Sequence, residues 1–488
     1  MISRKFFKSS LIYSIAGTLP TLAGFILLPF YTSDLLSTKN YGYLTLHLSF
    51  TLLFQGVIIF CLENFIGPVL FESKDDGAFK KKISSINYYS IAFASIVIVL
   101  FMIAGPWIFK LGFGDDVPMQ FYPFMFCTLL TSFFNAYFKL YCNRLIYTEQ
   151  HGEYFIVNLV NFFATIGISI GGLYAYGDSI MGPLMGRLLS GLIIFIIAFR
   201  SLFKEFGCRS DSAFWIDIKK FCLPLVLYFT LNWVFNYADR LFIEKMLCID
   251  LVGLFDFGIK CTMGIEILFT GMNNSVYPKI YALIRENASQ EQLKEQMNKY
   301  ASGYLIVIIL AIAFTLIAVP FAVALLIKQT FYHKALAFLG ILAIGQIFKV
   351  LYYIYMSPLL YLKRTDLVAK SFVFSTALQL VITFLLISYY GLNGIIVAYV
   401  ISKPLQIFFV YVESDRFVHF PLNIRKQMAL PVLLCLIVCA LQVLIKDNQS
   451  LYYNPMLGGI LLVVSIFFYR NEIKSFYNEF FLKVLLKK

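Results

Sequence analysis

The sequence predicts an all-α polytopic membrane protein with about fourteen transmembrane helices, arranged as two pseudo-symmetric six-helix lobes plus two extra C-terminal helices. Three observations predict it. The 488 residues are 60% hydrophobic and 14% charged, where a soluble protein carries about 25% charged residues. Apolar runs of 18 or more residues recur from end to end, each long enough to cross a hydrocarbon core of roughly 30 Å. Lysine and arginine concentrate in alternate connections, the pattern that orients spans in a bilayer.

The runs lack period-2 alternation, so the spans are helices; barrel strands would alternate over about 10 residues. They are expected at 11–32, 42–71, 86–109, 119–139, 154–176, 179–200, 221–243, 252–278, 301–327, 335–361, 371–390, 392–411, 429–445 and 452–469. The first run follows a basic segment but is longer than a signal-peptide core of roughly 7–15 residues, and no small-residue cleavage site follows it. It is read as a span. With the N-terminus inside, cytoplasmic segments hold 29 lysines and arginines, external segments hold six and spans hold five. Both termini are then cytoplasmic. The net charge of +13 is spread over cytoplasmic loops, where it favours anionic phospholipids; nucleic acid is not the implied partner. The nine cysteines show no metal-ligand spacing and read as small apolar residues.

An internal repeat divides the chain. Leu36, Gly42 and Tyr43-Leu44 match Leu247, Gly253 and Leu254-Phe255 at an offset of 211. Tyr147 matches Tyr361, and Tyr176-Gly177 matches Tyr390-Gly391, at 214; Gly182 and Ser190 match Gly394 and Ser402 at 212. The expected organisation is an N-terminal lobe at 1–203, a basic cytoplasmic linker at 204–220, a C-terminal lobe at 221–413, two further spans within 429–469 and an amphipathic cytoplasmic tail at 471–488. Six spans per repeat is an even number, so both repeats enter from the same side, as in parallel-repeat transporters that bind substrate between halves. Most of the fifteen prolines fall in or at the ends of spans, where each mid-span proline frees a carbonyl and bends its helix.

An ionisable residue within a span is costly and marks a candidate site. Arg187, Arg240, Lys260, Lys349 and Lys403 are the cations at span depth. They suit a phosphate or carboxylate, arginine as a planar fork and lysine as a point charge. Arg240 with Glu244, and Asp256 with Lys260, stand at i, i+4 and can self-neutralise. Arg187, Lys349 and Lys403 have no such partner on their own spans; each needs a wet cavity, a partner on another helix or an anionic ligand. Glu63, Asp239, Asp256 and Glu266 are candidates for ion coupling or structural pairing. Several enzyme classes are excluded. There is no GxxxxGK[ST] phosphate loop, no HExxH, and no external loop longer than about 12 residues to house a catalytic domain. No cofactor or metal is expected.

The residues carry a family resemblance. Ser10-Leu11 through Pro29-Phe30-Tyr31, then Leu35-Leu36 through Tyr41-Gly42-Tyr43-Leu44, resembles the opening of bacterial polysaccharide biosynthesis proteins. These are the O-antigen and capsule flippases of the multidrug/oligosaccharidyl-lipid/polysaccharide exporter superfamily. Tyr237-Ala238-Asp239-Arg240-Leu241-Phe242-Ile243, with Val252-Gly253-Leu254-Phe255 following, is similar to that family's Asp-Arg segment and the Gly-aromatic start of its next span. The resemblance implies a V-shaped pair of six-helix lobes and translocation of an undecaprenyl-diphosphate-linked oligosaccharide from the inner to the outer leaflet of the bacterial inner membrane. It implies that the five cations meet the diphosphate and sugar acids, and that the protein assembles with polymerase and chain-length proteins of the same pathway. Asn64, Asn135, Asn232, Asn236 and Gln379 are the polar residues expected to meet sugar hydroxyls. An ion-coupled exporter of small molecules and a cell-wall lipid II flippase are the alternatives.

Overall fold

The computed structural model describes residues 4–72, 75–286, 289–362, 364–419, 422, 423, 427, 429–444, 450–470 and 474. The described residues are helical or turn-forming, with no strand among them. The chain forms two compact units, residues 1–237 and 238–488. The expected amphipathic tail at 471–488 lies outside the described residues apart from position 474.

The first unit contains α1 (Arg4–Tyr31), α2 (Thr38–Ile58), α3 (Ile66–Glu72), α4 (Asp76–Phe113), α5 (Phe126–Tyr147), α6 (His151–Tyr176), α7 (Met181–Phe206) and most of α8 (Ser212–Met246). Helices α5 and α6 both pack on α7, α1 packs on α6, and α2 on α5. Helix α4 has the opposite character. Ile103, Trp107 and Leu111 form one stripe at i, i+4, i+8 and are 70%, 80% and 91% exposed. A stripe of that size is tolerable only where the solvent is lipid.

The second unit contains α9 (Ile249–Cys261), α10 (Met263–Arg285), α11 (Gln290–Leu326), α12 (Leu336–Gly345), α13 (Ile347–Tyr361), α14 (Thr365–Asp415), α15 (Leu430–Leu444) and α16 (Ser450–Phe468). Helix α11 begins with a capping box formed by Ser289 and Gln292. Its buried stripe, Leu305, Ile308, Ile309, Ile312 and Leu316, lies at the centre of the unit. The two added helices are fastened to this core. Gly458 of α16 meets α11 so closely that a Cβ would stand 2.8 Å from the Ala313 carbonyl oxygen. Asn454 Nδ2 donates to the Leu336 carbonyl at 2.7 Å.

Seven helical segments among the described residues are long and apolar enough to cross a bilayer, and an eighth counts if a bent pair is one span. The expectation of about fourteen differs for physical reasons. One qualifying segment, α14, is two antiparallel arms joined at Gly391, whose φ of 57° and ψ of −135° are non-helical. Other expected spans are interrupted. The span at 42–71 bends by 64° between α2 and α3; the one at 252–278 has a local turn at Thr262 (φ −93°, ψ 0°), whereas the one at 335–361 lies within a single qualifying segment, with helical backbone at Gln346 (φ −66°, ψ −23°). Pro20, Pro29, Pro106, Pro224, Pro320, Pro358 and Pro404 lie inside helical segments, whereas Pro68 is the third residue of α3, just past the 64° bend, where it cannot donate back to Asn64. The connection between α7 and α8 is only residues 207–211, so most of the basic stretch 204–220 is helical.

The repeat is visible in backbone geometry. Helix α6 spans 151–176 and the first arm of α14 spans 365–390, the same bounds at an offset of 214. The residues preceding them, Gln150 and Arg364, share φ −86° and have ψ 59° and 54°. Each helix turns back through a glycine in the left-handed region, Gly177 (φ 60°) and Gly391 (φ 57°), where a side chain would be strained. The returning helices touch at equivalent places. A Cβ on Gly182 would stand 2.4 Å from the Gly172 carbonyl oxygen, and one on Gly394 2.1 Å from that of Leu386.

The tip of the first hairpin is also tied down. Asp178 Oδ1 accepts from Ser37 N at 2.7 Å and Asn40 Nδ2 at 2.8 Å. Partial burial acts to raise the Asp178 pKa, but these hydrogen bonds prevail and hold it below the ordinary carboxylate value.

Two outcomes are expected. Gly182→Val or Gly394→Val forces backbone apart and costs about 3 kcal/mol, whereas Gly171→Ala, with nothing within 4 Å of its Cβ, is tolerated; thermal unfolding of detergent-purified protein measures both. Asp178→Ala costs about 1 kcal/mol at neutral pH. Because the folded pKa is depressed, that difference persists above the unfolded value of about 3.9 and fades as pH falls through the folded one.

Candidate functional site

The second unit gathers most of the charges expected at span depth. Asp239 and Arg240 sit side by side on α8, each 3% exposed. Arg240 Nε and Nη2 donate to Asp256 Oδ1 on α9 at 3.1 and 2.7 Å. Lys260, one turn further along α9, meets Asp256 Oδ2 at 2.7 Å. The i, i+4 pairing of Asp256 and Lys260 is thus formed, and the same carboxylate also serves Arg240. One buried anion holds two cations, and its own burial is tolerable because both oxygens are occupied.

Asp239 faces the two arms of α14. Thr383 Oγ1 lies 3.4 Å from Asp239 Oδ1, and Gln379 hydrogen-bonds the same carboxylate. Lys403, 2% exposed, lies within electrostatic range of Asp239 and places Nζ 4.5 Å from the centre of the Tyr399 ring. Gln346, at the junction of α12 and α13, donates from Nε2 to Tyr399 Oη at 3.2 Å. Lys349, one turn on in α13, forms an ion pair with Glu266, one turn past Thr262 on α10. Lys349 therefore finds its partner on another helix. Four cations (Arg240, Lys260, Lys349, Lys403) and three carboxylates (Asp239, Asp256, Glu266) share this region.

The first unit holds Arg187 and Glu63 in different settings. Arg187 follows the α6–α7 hairpin, where a Cβ on the preceding Gly186 would stand 2.5 Å from Ser169 Cα. Its Nε is buried without a hydrogen-bond partner, and no ion pair to it appears among the described residues. Glu63 lies in the 3-10 turn Leu62–Asn64, just past Phe60 and Cys61, two non-glycine residues with φ of 57° and 54°. Such backbone costs of order 1–3 kcal/mol per residue. Glu63 is 1% exposed; Oε1 pairs with Lys139 Nζ at 3.3 Å, while Oε2 is buried without a hydrogen bond. Of the expected sugar-facing residues, Asn236 bonds back to Asn232, Asn64 is exposed and Asn135 lies beside Gly191.

Some buried polar groups were not singled out by sequence. Lys139 and Arg144 count there as cytoplasmic loop charges. The structure places both in α5, with Arg144 2% exposed and paired to Glu205 and Gln150. His47 is fully buried; Nδ1 meets Thr128 Oγ1 and Nε2 the Pro118 carbonyl, both at 2.7 Å. No local spacing signals these partners, which are 61 to 81 residues apart for Arg144–Glu205 and His47–Thr128.

A sequence profile described as "Polysaccharide biosynthesis protein" matches residues 6–284. The chain belongs to this family. Solved structures share the fold along nearly the whole chain. A lipid II flippase MurJ in an inward closed conformation matches with a TM-score of 0.67 and 14% identity, covering 95% of this chain and 100% of that one. An inward-facing multidrug resistance MATE transporter of the MOP superfamily matches with a TM-score of 0.66 and 15% identity, covering 82% and 94%. No curated protein matches the chain. The family and these neighbours make it a multi-pass membrane protein with a transporter fold.

Removing the shared anion should be the most damaging change in this cluster. Asp256→Ala leaves Arg240 and Lys260 buried without it and costs about 3–5 kcal/mol. Lys260→Met leaves the Arg240–Asp256 pair intact and costs less. Melting temperatures of the purified variants measure the order.

Proposed function

We propose that this protein is a flippase that moves an undecaprenyl-diphosphate-linked oligosaccharide, an O-antigen, capsule or exopolysaccharide repeat unit, from the inner to the outer leaflet of a bacterial inner membrane. Both termini face the cytoplasm in this reading, as the distribution of 29 basic residues against six indicates. Membership of the polysaccharide biosynthesis family supports the substrate class. The fold shared with a protein named for flipping lipid II supports the type of transport.

The observation that carries the site assignment is Arg187. A guanidinium with a buried, unsatisfied Nε on a membrane helix needs an anion, and its fork matches phosphate oxygens. Arg240, Lys260, Lys349 and Lys403 complete the proposed set that meets the diphosphate and acidic sugars, with Glu63, Asp239, Asp256 and Glu266 as pairing or ion-coupling groups. Asn64, Asn135, Asn232, Asn236 and Gln379 are the proposed sugar contacts. The lipid tail stays in the bilayer. Ion-coupled export of small cations is supported by the shared MATE fold, yet it calls for a carboxylate-rich site, and the charged cluster of the second unit has four cations to three anions. Lipid II transport differs from the preferred reading in essentiality: its loss kills the cell.

Depletion in the native cell should trap lipid-linked repeat units on the cytoplasmic leaflet. Equal labelling of the two leaflets would overturn the assignment. In proteoliposomes, Arg187→Ala should reduce flipping by about tenfold or more, with Arg187→Lys intermediate because the charge stays and the fork is lost.

A further inference from the structure

We infer that Glu266 is an internal counter-anion that sets a charge threshold at Lys349, so that a diphosphate headgroup enters and singly charged phospholipid headgroups are refused. The inference rests on the flippase reading and concerns how that site selects its ligand.

The ion pairs of the second unit differ in how they are enclosed. The Asp256 side chain is 7% exposed and holds two cations. The Glu266 side chain is 36% exposed and its partner Lys349 17%. Glu266 is thus the carboxylate of this cluster that a ligand can reach and displace. Each member sits one turn past a local tightening of its helix, at Thr262 and Gln346, where backbone hydrogen bonds span three residues instead of four. Gln346 is 2% exposed, and its Oε1 is buried without a hydrogen bond, so this turn also carries an unsatisfied polar atom.

The neighbours tune the same carboxylate. Lys349, Tyr353, Tyr399, Tyr304 and Lys403 all interact electrostatically with Glu266. The Lys349 ammonium also lies 6.0 Å from the centre of the Phe269 ring. The local charges are two lysines and one reachable carboxylate. An entering anion must take Lys349 from Glu266. A singly charged headgroup replaces one negative charge with another and gains nothing. A diphosphate brings more charge than it displaces and wins the exchange. Specificity then comes from a built-in competitor, which matters in a membrane where phospholipid phosphates far outnumber any lipid-linked sugar.

The test uses the full-length protein in detergent, with geranylgeranyl diphosphate and phosphatidylglycerol as competing probes read by native mass spectrometry. Wild type should prefer the diphosphate. Glu266→Gln should bind phosphatidylglycerol about tenfold more tightly and narrow that preference. Glu266→Asp should restore it, because the charge is kept, and Lys349→Met should weaken diphosphate binding. An unchanged preference in Glu266→Gln, or no restoration in Glu266→Asp, overturns the counter-anion while leaving the flippase reading standing. A wild type that binds no diphosphate lipid overturns the flippase reading, and this inference with it.

Discussion

A hydrocarbon solvent offers a buried charge no partner, and the arrangement of this protein's second unit follows from that constraint. Asp256 answers it for two cations at once, bonding Arg240 through one oxygen and Lys260 through the other. To do so, α8 and α9 must meet in one register, which in turn sets where Asp239 faces Thr383 and Gln379 on α14. The polar cluster is therefore a structural element and a candidate ligand site together. Removing its shared anion leaves two cations without that partner, whereas removing Lys260 leaves the Arg240–Asp256 pair in place.

The fold was legible in the sequence at the level where lipid imposes a simple rule. Apolar runs respond to the bilayer itself, so they give the class without knowledge of neighbours. The repeat was legible for a similar reason. Gly177 and Gly391 hold left-handed backbone, and Gly182 and Gly394 allow close helix contact; both requirements act on residue identity directly, so the glycines appear at matching positions. The turn at Thr262 and the bend at Ile59–Phe65 are less legible. Pro68 stands just past the second of them, but an apolar sequence otherwise reads the same whether or not its helix is interrupted.

Pairings were legible only within a turn. The Asp256–Lys260 pair follows from spacing, whereas Lys349–Glu266, Lys139–Glu63 and Arg144–Glu205 join residues 83, 76 and 61 apart. Depth along a span indicates that a charge needs a partner and is silent on which helix supplies it. For that reason Lys349, a lone cation by sequence, has a carboxylate partner in the structure. Arg187 keeps the unsatisfied nitrogen that depth alone would predict.

The tip of the first hairpin has a consequence for mechanics. Between the turn glycine and the packing glycine, the first repeat carries four residues and the second carries two. The longer tip contains Asp178, whose carboxylate is bound to Ser37 and Asn40 ahead of and within α2. A two-residue difference in length thus converts one copy of a duplicated lever into a moored one. Three hydrogen bonds hold the first tip, two to the Asp178 carboxylate and one to its backbone carbonyl, so a sequence insertion too small to alter the fold gives one copy of a repeated hairpin an anchorage of its own.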